Sequence, residues 1–355
     1  MEKAFKISRA ANWGIILFLV VFCLIYFKGL IQPFILSLFV WYLISAVKRA
    51  IRKINIQGKF IPRRLASVLA FLLIFGIFWG LWSILSYNVQ LIIEKSGEYT
   101  ENISGMVEAF GAIPYLDQLP VIEDVDKFIL DNLAGLDLQA YVGGILNSLS
   151  LVFGNFALIV VYVIFLLLEE NFFPIKLEKI FQSADNKGTL QNILRDIGKS
   201  VNTYFFVKTS MSLLTGVLSY IILLLFGVDF AALWAFLIFL FNYIPYVGSL
   251  IATILPALFA IFQFASFWPF LWIFLAVEAV QIFVGNYIEP KIMGKTLNLS
   301  PLFVIVALSF WGAIWGIVGM ILSVPIVSVL VIVLSHFPST RNWAVFFSEE
   351  GNIDT

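Results

Sequence analysis

The sequence predicts an all-α polytopic integral membrane protein, with about six spanning helices and two broken or re-entrant helical hairpins in its C-terminal third. Three observations predict it. Hydrophobic residues make up 61% of the 355-residue chain and charged residues only 12%, against about 45–50% and about 25% in soluble domains. That leaves too little polar material for a water-facing surface. The apolar residues come in long unbroken runs rather than in alternation, which suits helices and not a closed barrel. Finally, residues 231–264 and 301–335 are uncharged over 34 and 35 residues. A single helix of that length measures about 51 Å, whereas the hydrocarbon core is about 30 Å thick. Each run must therefore double back. If both cross fully, the chain has eight or more spans.

The N-terminal region, 1–93, holds three runs. Trp13 to Phe27 and Leu30 to Val47 are separated by Lys28 and Gly29 alone and read as a tight helical hairpin. The loop 48–64 carries seven basic residues and no acid, so the positive-inside rule places it in the cytoplasm, with the N-terminus on the same side. The third run, Leu65 to Ile93, leaves the cytoplasm. Residues 94–150 then hold ten acids against Lys95 and Lys127 and read as an acidic exterior subdomain, divided by Pro114 and Pro120.

The region 151–208 begins with a fourth run, Leu151 to Leu168, which returns inward. In the mixed-charge stretch after it, Leu190, Ile193, Leu194, Ile197 and Val201 recur at helical spacing. They predict an amphipathic helix, lying either on the membrane surface or a partner subunit, or against the chain's own cytoplasmic ends. A fifth run spans Thr209 to Phe226, and Gly227–Asp229 turns the chain at an exposed Asp229. The remaining core, 209–336, contains both long runs and an ordinary span, 269–284; a cytoplasmic tail occupies 337–355. Parity sets the loop 285–300 and both termini inside, with the two hairpins entering from opposite faces. Phe241 and Phe310, and likewise Pro256 and Pro325, match at one common offset of 69 (310 − 241 and 325 − 256), and opposed broken segments are a known transporter design.

Three motifs punctuate this core. In FNYIPYVGSLIATILP, 241–256, Pro245 lacks an N–H and Gly248 admits unusual backbone geometry, so peptide groups are exposed at membrane depth beside Asn242, Tyr243 and Tyr246. That serves a solute path or a plain kink. In VGNYIEPKIMGKTLNLSP, 284–301, Asn286 and the flanking glycines and prolines sit between apolar runs, with Glu289 and Lys291 placed to pair across Pro290. In SFWGAIWGIVGMILSVP, 309–325, Gly312, Gly316 and Gly319 have the small-residue spacing of close helix packing. Mid-span Glu278 is costly in lipid and marks an interior cavity or a structural hydrogen bond, and Gln281 shares its face. The candidate lining is Asn242, Tyr243, Pro245, Gly248, Glu278, Gln281 and Asn286. The candidate hinges are Pro256, Pro290, Gly294, Gly312, Gly316, Gly319 and Pro325.

Cys23 and His336 are the sole Cys and His. They cannot build a Cys/His metal centre, and no nucleophile–base constellation appears, so neither a metal, a cofactor nor an enzyme is expected. The low charge also argues against nucleic acid as a partner.

The motifs NYIPYVGSLIATILP, GNYIEPKIMGKTLNLSP and WGAIWGIVGMILSVP, in this order, resemble the AI-2E family of bacterial membrane proteins, the autoinducer-2 exporters. The resemblance runs over nearly the whole chain. It implies a multi-pass transporter of the bacterial inner membrane. Some family members look like exporters of the furanone signal autoinducer-2; others are similar to Na+(Li+)/H+ antiporters. Family members often place an acid before the Gly-Asn pair, where this chain has Val284; Glu278, about two turns earlier, is the available substitute. The expected function is export of a small polar solute by alternating access from a homo-oligomer, a pentamer being one form. A Na+- or H+-coupled antiporter and a non-transporting scaffold are the alternatives.

Overall fold

The computed structural model describes residues 2–56, 59–111, 154–173, 175–176, 179, 187–293, 299–349 and 351. Pro114, Pro120, Gly294 and most of the acidic segment lie outside the described residues. The described chain is helical apart from one short antiparallel pair in the basic loop, β1 (Asn55–Ile56) with β2 (Lys59–Phe60), which pairs Asn55 with Phe60 and Ile56 with Lys59.

The helices follow the apolar runs but are longer. α1 (Glu2–Tyr26) and α2 (Lys28–Arg52) are divided by Phe27 alone, not by a Lys28–Gly29 turn. The Phe27 amide still donates to the Cys23 carbonyl, so the junction is a one-residue break. α3 (Arg63–Gly111) runs 49 residues, carrying the third span straight through Glu94, Glu98 and Glu101. α4 (Phe156–Glu169) is the fourth run. α5 (Lys187–Leu225) is one 39-residue helix: the expected boundary at 208–209, between an amphipathic helix and the fifth span, does not exist. α6 (Ala231–Phe241) and α7 (Val247–Phe264) divide the first long run. α8 (Phe267–Ile282) passes through a π-helical turn (Phe283–Ile288) into α9 (Glu289–Met293). α10 (Pro301–Ser335) is the second long run, and α11 (Arg341–Phe347) follows it. Among the described residues, six helical stretches are long and apolar enough to cross a membrane: 28–52, 63–99, 191–225, 247–264, 267–293 and 301–335.

The chain forms two compact units. In the first (Met1–Ile74, Gly154–Asn202, Asn298–Thr355), α2 and α4 run side by side in the same direction, because Phe34 meets Tyr162 edge-on and, further along both, Lys48 reaches Glu170. Glu170 also accepts from Arg63, so the ends of α2 and α4 and the start of α3 share one level. Three polar contacts join the N-terminal part of α5 to the rest of this unit: the Tyr42 hydroxyl donates to the Asn202 carbonyl, Ser200 meets Ser328, and His336 Nε2 lies 3.3 Å from Asp196.

α10 does double back within this unit. Gly316 sits at φ 62°, ψ −142°, splitting it into arms 301–315 and 317–335. A Cβ on Gly319 would lie 1.9 Å from the Trp311 carbonyl oxygen, eight residues earlier; in a straight helix that separation is about 12 Å. The two ends of the run come together through α11: the Ser300 amide donates to the Phe347 carbonyl, and the Phe303 ring packs edge-on against Phe346 and Phe347. Pro325 lies buried inside the second arm, and Gly312 faces the flexible end of Met320.

The second unit (Phe75–Phe153, Thr203–Leu297) holds the first hairpin. α6 and α7 are antiparallel: Phe241 abuts Gly248 near the tip, while the Trp234 ring packs tilted against Phe259 toward the open end. Gly248 is obligatory here, since a Cβ would fall 1.9 Å from the Phe241 carbonyl oxygen. Tyr246 makes the reversal at φ 59°, ψ −61°. Pro256 is buried within an uninterrupted α7. The core gathers Leu223, Trp234, Ile238, Phe259, Ile273 and Val277. A second cluster sets Val207 and Met211 of α5 against Val284.

Each hairpin has a turn residue followed by a glycine against a carbonyl, Tyr246 then Gly248 and Gly316 then Gly319, but these pairs stand 70 (316 − 246) and 71 (319 − 248) positions apart and do not follow the offset of 69.

Candidate functional site

The polar groups of the second unit concentrate on one face of α5. Tyr204, Lys208, Ser212, Thr215 and Ser219 are all buried. Their spacing of four, four, three and four keeps them on one side of a helix over about 22 Å. A buried polar stripe inside a span is expensive in lipid unless it meets partners or water.

Two members of the stripe, Ser212 and Lys208, and the nearby Thr209 meet residues of the predicted motifs. Asn242 Nδ2 donates to Ser212 Oγ at 3.2 Å, and the Tyr243 hydroxyl donates to Thr209 Oγ1 at 2.8 Å. Both side chains are buried, so the hairpin tip is held by neutral hydrogen bonds, each of net value about 0.5–1.5 kcal/mol. Lys208 Nζ donates to both carboxylate oxygens of Glu289, at 2.8 and 3.0 Å, with side-chain exposures of 10% and 15%. The expected Glu289–Lys291 pair is replaced by this one: the π-helical turn at Phe283–Ile288 rotates Glu289 toward α5, and Lys291 lies over the Tyr287 ring instead. The segment after 284 is therefore helix through Met293, not a turn.

Several buried polar atoms in this unit lack a hydrogen-bond partner among the described residues: Tyr204 Oη, Ser219 Oγ, Trp234 Nε1, Glu278 Oε2 and Gln281 Nε2. Leaving such groups dry costs about 1–3 kcal/mol each. Glu278 and Gln281 lie one turn apart on α8; the neighbouring Val280 joins the cluster of Val207, Met211 and Val284, and Glu289 beyond it meets Lys208.

The structure thus brings Asn242, Tyr243, Glu278 and Gln281 into one unit with the stripe on α5. Gly248 serves them by closing the hairpin. Pro245 is half-buried at the turn, and Asn286 is exposed on the π-helical turn. Pro290 is an exposed second residue of α9. Asp229, expected to be exposed, is half-buried: Lys95 Nζ and the Tyr99 hydroxyl both donate to its Oδ2 at 2.9 Å. The sequence reading missed Tyr204, Lys208, Ser212, Thr215 and Ser219. Their i, i+4 recurrence was the available signal; a boundary drawn at 208–209 cut it in two.

The profile of the AI-2E family transporters matches residues 15–339. A putative transport protein of Haemophilus influenzae is 31% identical over 328 residues, 90% of each chain. The AI-2 transport protein TqsA of Escherichia coli K12 is 28% identical over 334 residues, 93% of each. The putative transport protein YrrI of Bacillus subtilis is 27% identical over 324 residues, 88% of each. With its fold and its motif residues in these positions, the chain belongs to the AI-2E transporter family.

Proposed function

We propose that this protein exports a small polar solute of the autoinducer-2 type across the bacterial inner membrane by alternating access, with the solute passing along the polar face of α5 in the second unit. The observation that carries this reading is the set of buried, unpartnered groups there: Tyr204 Oη, Ser219 Oγ, Glu278 Oε2 and Gln281 Nε2. They supply donors and acceptors of both kinds, which a hydroxylated solute or a file of water satisfies. The relative named as an AI-2 transport protein supports the class of solute. The basic loop 48–64 supports cytoplasmic termini. The paired charges of Lys208 and Glu289 sit on the stripe one turn from Tyr204.

The test is efflux from proteoliposomes loaded with the furanone. The reading expects flux that Glu278→Gln and Asn242→Ala reduce. Wild-type rates in both variants remove the site. A Na+(Li+)/H+ antiport reading draws on Glu278 alone, a carboxyl with a buried, unpaired oxygen inside a span. It expects Na+-driven proton movement abolished by Glu278→Gln, without any furanone flux.

A further inference from the structure

The α6–α7 hairpin is fastened very differently at its two ends. At its open end Gln263 ties the hairpin to its own entrance: the Asp229 amide donates to Gln263 Oε1 at 2.8 Å, and Gln263 Nε2 donates to the Gly227 carbonyl at 2.8 Å. α3 then grips both turns at once. Lys95 and Tyr99 donate to Asp229, and Asn102 Nδ2 donates to the Phe262 and Gln263 carbonyls at 3.2 Å. The Tyr99 ring also packs edge-on against Phe259, 5.2 Å between centroids, and Phe259 is flanked by Trp234 and Phe230. A charge-assisted, aromatic-packed clamp of this kind resists displacement.

The tip meets α5 through neutral groups, Asn242 on Ser212 and Tyr243 on Thr209. Hydroxyls and amides of this kind exchange readily for water or a polar solute. Between the ends, α6 approaches α5 over Gly216, whose missing side chain leaves the Ala235 carbonyl and Phe239 Cβ only 3.2 Å from where a Cβ would stand. No side chain of Gly216 interlocks with α6 there, so the surface favours sliding. Within the hairpin, Gly248 packs against the Phe241 backbone, so the two arms are in close backbone contact at the tip.

The backbone adds an independent observation. Among the described residues, the three non-glycine residues with positive φ are Phe230 at 59°, Tyr246 at 59° and Ala265 at 47°. They sit at the hairpin's two open-end junctions and at its tip. Backbone held in this region costs energy and clusters where a fold has two arrangements.

We propose that the α6–α7 hairpin is a pivoting gate: the Asp229–Gln263 clamp on α3 is its fixed hinge, and the Asn242–Ser212 and Tyr243–Thr209 contacts are the latch that a passing polar solute replaces. The purpose of the gate rests on the transport reading above; the motion is measurable without any solute.

The experiment is pulsed electron–electron distance measurement on the full chain in liposomes, in a Cys23→Ser background. One spin-label pair reports the tip, Leu213→Cys with Val247→Cys; the other reports the open end, Leu225→Cys with Phe264→Cys. All four sites are exposed. The expected result is two distance populations at the tip and one narrow population at the open end. Adding Thr209→Ala and Ser212→Ala is expected to deplete the closed tip population and to leave the open-end distance unchanged. A single tip distance indifferent to loss of the latch overturns the gate, and so does an open end that moves as far as the tip. If furanone flux fails while the tip still shows two latch-dependent populations, the transport reading falls and the gate stands.

Discussion

Gly248 is where one hydrogen atom decides the fold. The α6–α7 reversal brings the Phe241 carbonyl oxygen to 1.9 Å from the place a Cβ would take, and backbone cannot yield as a side chain does. Gly248→Ala is expected to lower thermal stability in detergent by the overpacking cost of about 1–3 kcal/mol, or to block folding. Gly216→Ala, where the nearest atoms stand at 3.2 Å, is the milder comparison. Glu170 gives a pH-dependent case. Burial raises its pKa, but the Lys48 and Arg63 hydrogen bonds and charges outweigh burial and hold the carboxyl below its usual range. The group's folded pKa is depressed, so its stabilisation is present above about pH 4.3 and is lost as pH falls through the lower folded value. Acid titration of unfolding is expected to show that loss, with Lys48→Met making it smaller because the folded pKa rises toward the unfolded one; a loss of unchanged size contradicts the assignment.

At the scale of elements, α5 decides most. It is a span, a scaffold contact and a polar wall in one continuous helix. Lys208 on it and Glu289 beyond the π-helical turn form a mostly buried ion pair. Removing one partner strands a charge, so Lys208→Met is expected to cost about 3–5 kcal/mol. The double variant Lys208→Met with Glu289→Leu is expected to recover most of that in thermal unfolding. Additive losses contradict a coupled pair. The hairpins were legible in the sequence because length alone forbids a single crossing, and Pro245, Gly248 and Gly316 mark the reversals. The Lys208–Glu289 pair was not legible. It joins residues 81 positions apart, and the π-helical turn that aims Glu289 has no local signature beyond Gly285. The stripe on α5 was written in plain spacing, but each polar residue alone looked like ordinary tolerance within an apolar run.

At the scale of the whole molecule, polar contacts gather helix ends within each unit. The ends predicted to share the basic side, Lys48, Arg63 and Glu170, meet in the first unit. Lys95, Asp229 and Gln263, predicted to share the other side, meet through Asp229 in the second. Family membership supplies the class of function, transport, while the stripe, the unpartnered groups and the latched hairpin supply a route. That route is the central claim, and neighbouring positions on α5 separate it from general damage to the fold. Ser212 is fully buried on the polar face and Leu213 is 57% exposed on the opposite side. The deciding measurement is furanone efflux from proteoliposomes carrying Ser212→Val or Leu213→Val at matched protein content and thermal stability. The account predicts that Ser212→Val lowers flux by about tenfold, the kinetic equivalent of one strained or lost buried hydrogen bond, and that Leu213→Val transports like the wild type. Equal rates in both variants would contradict it.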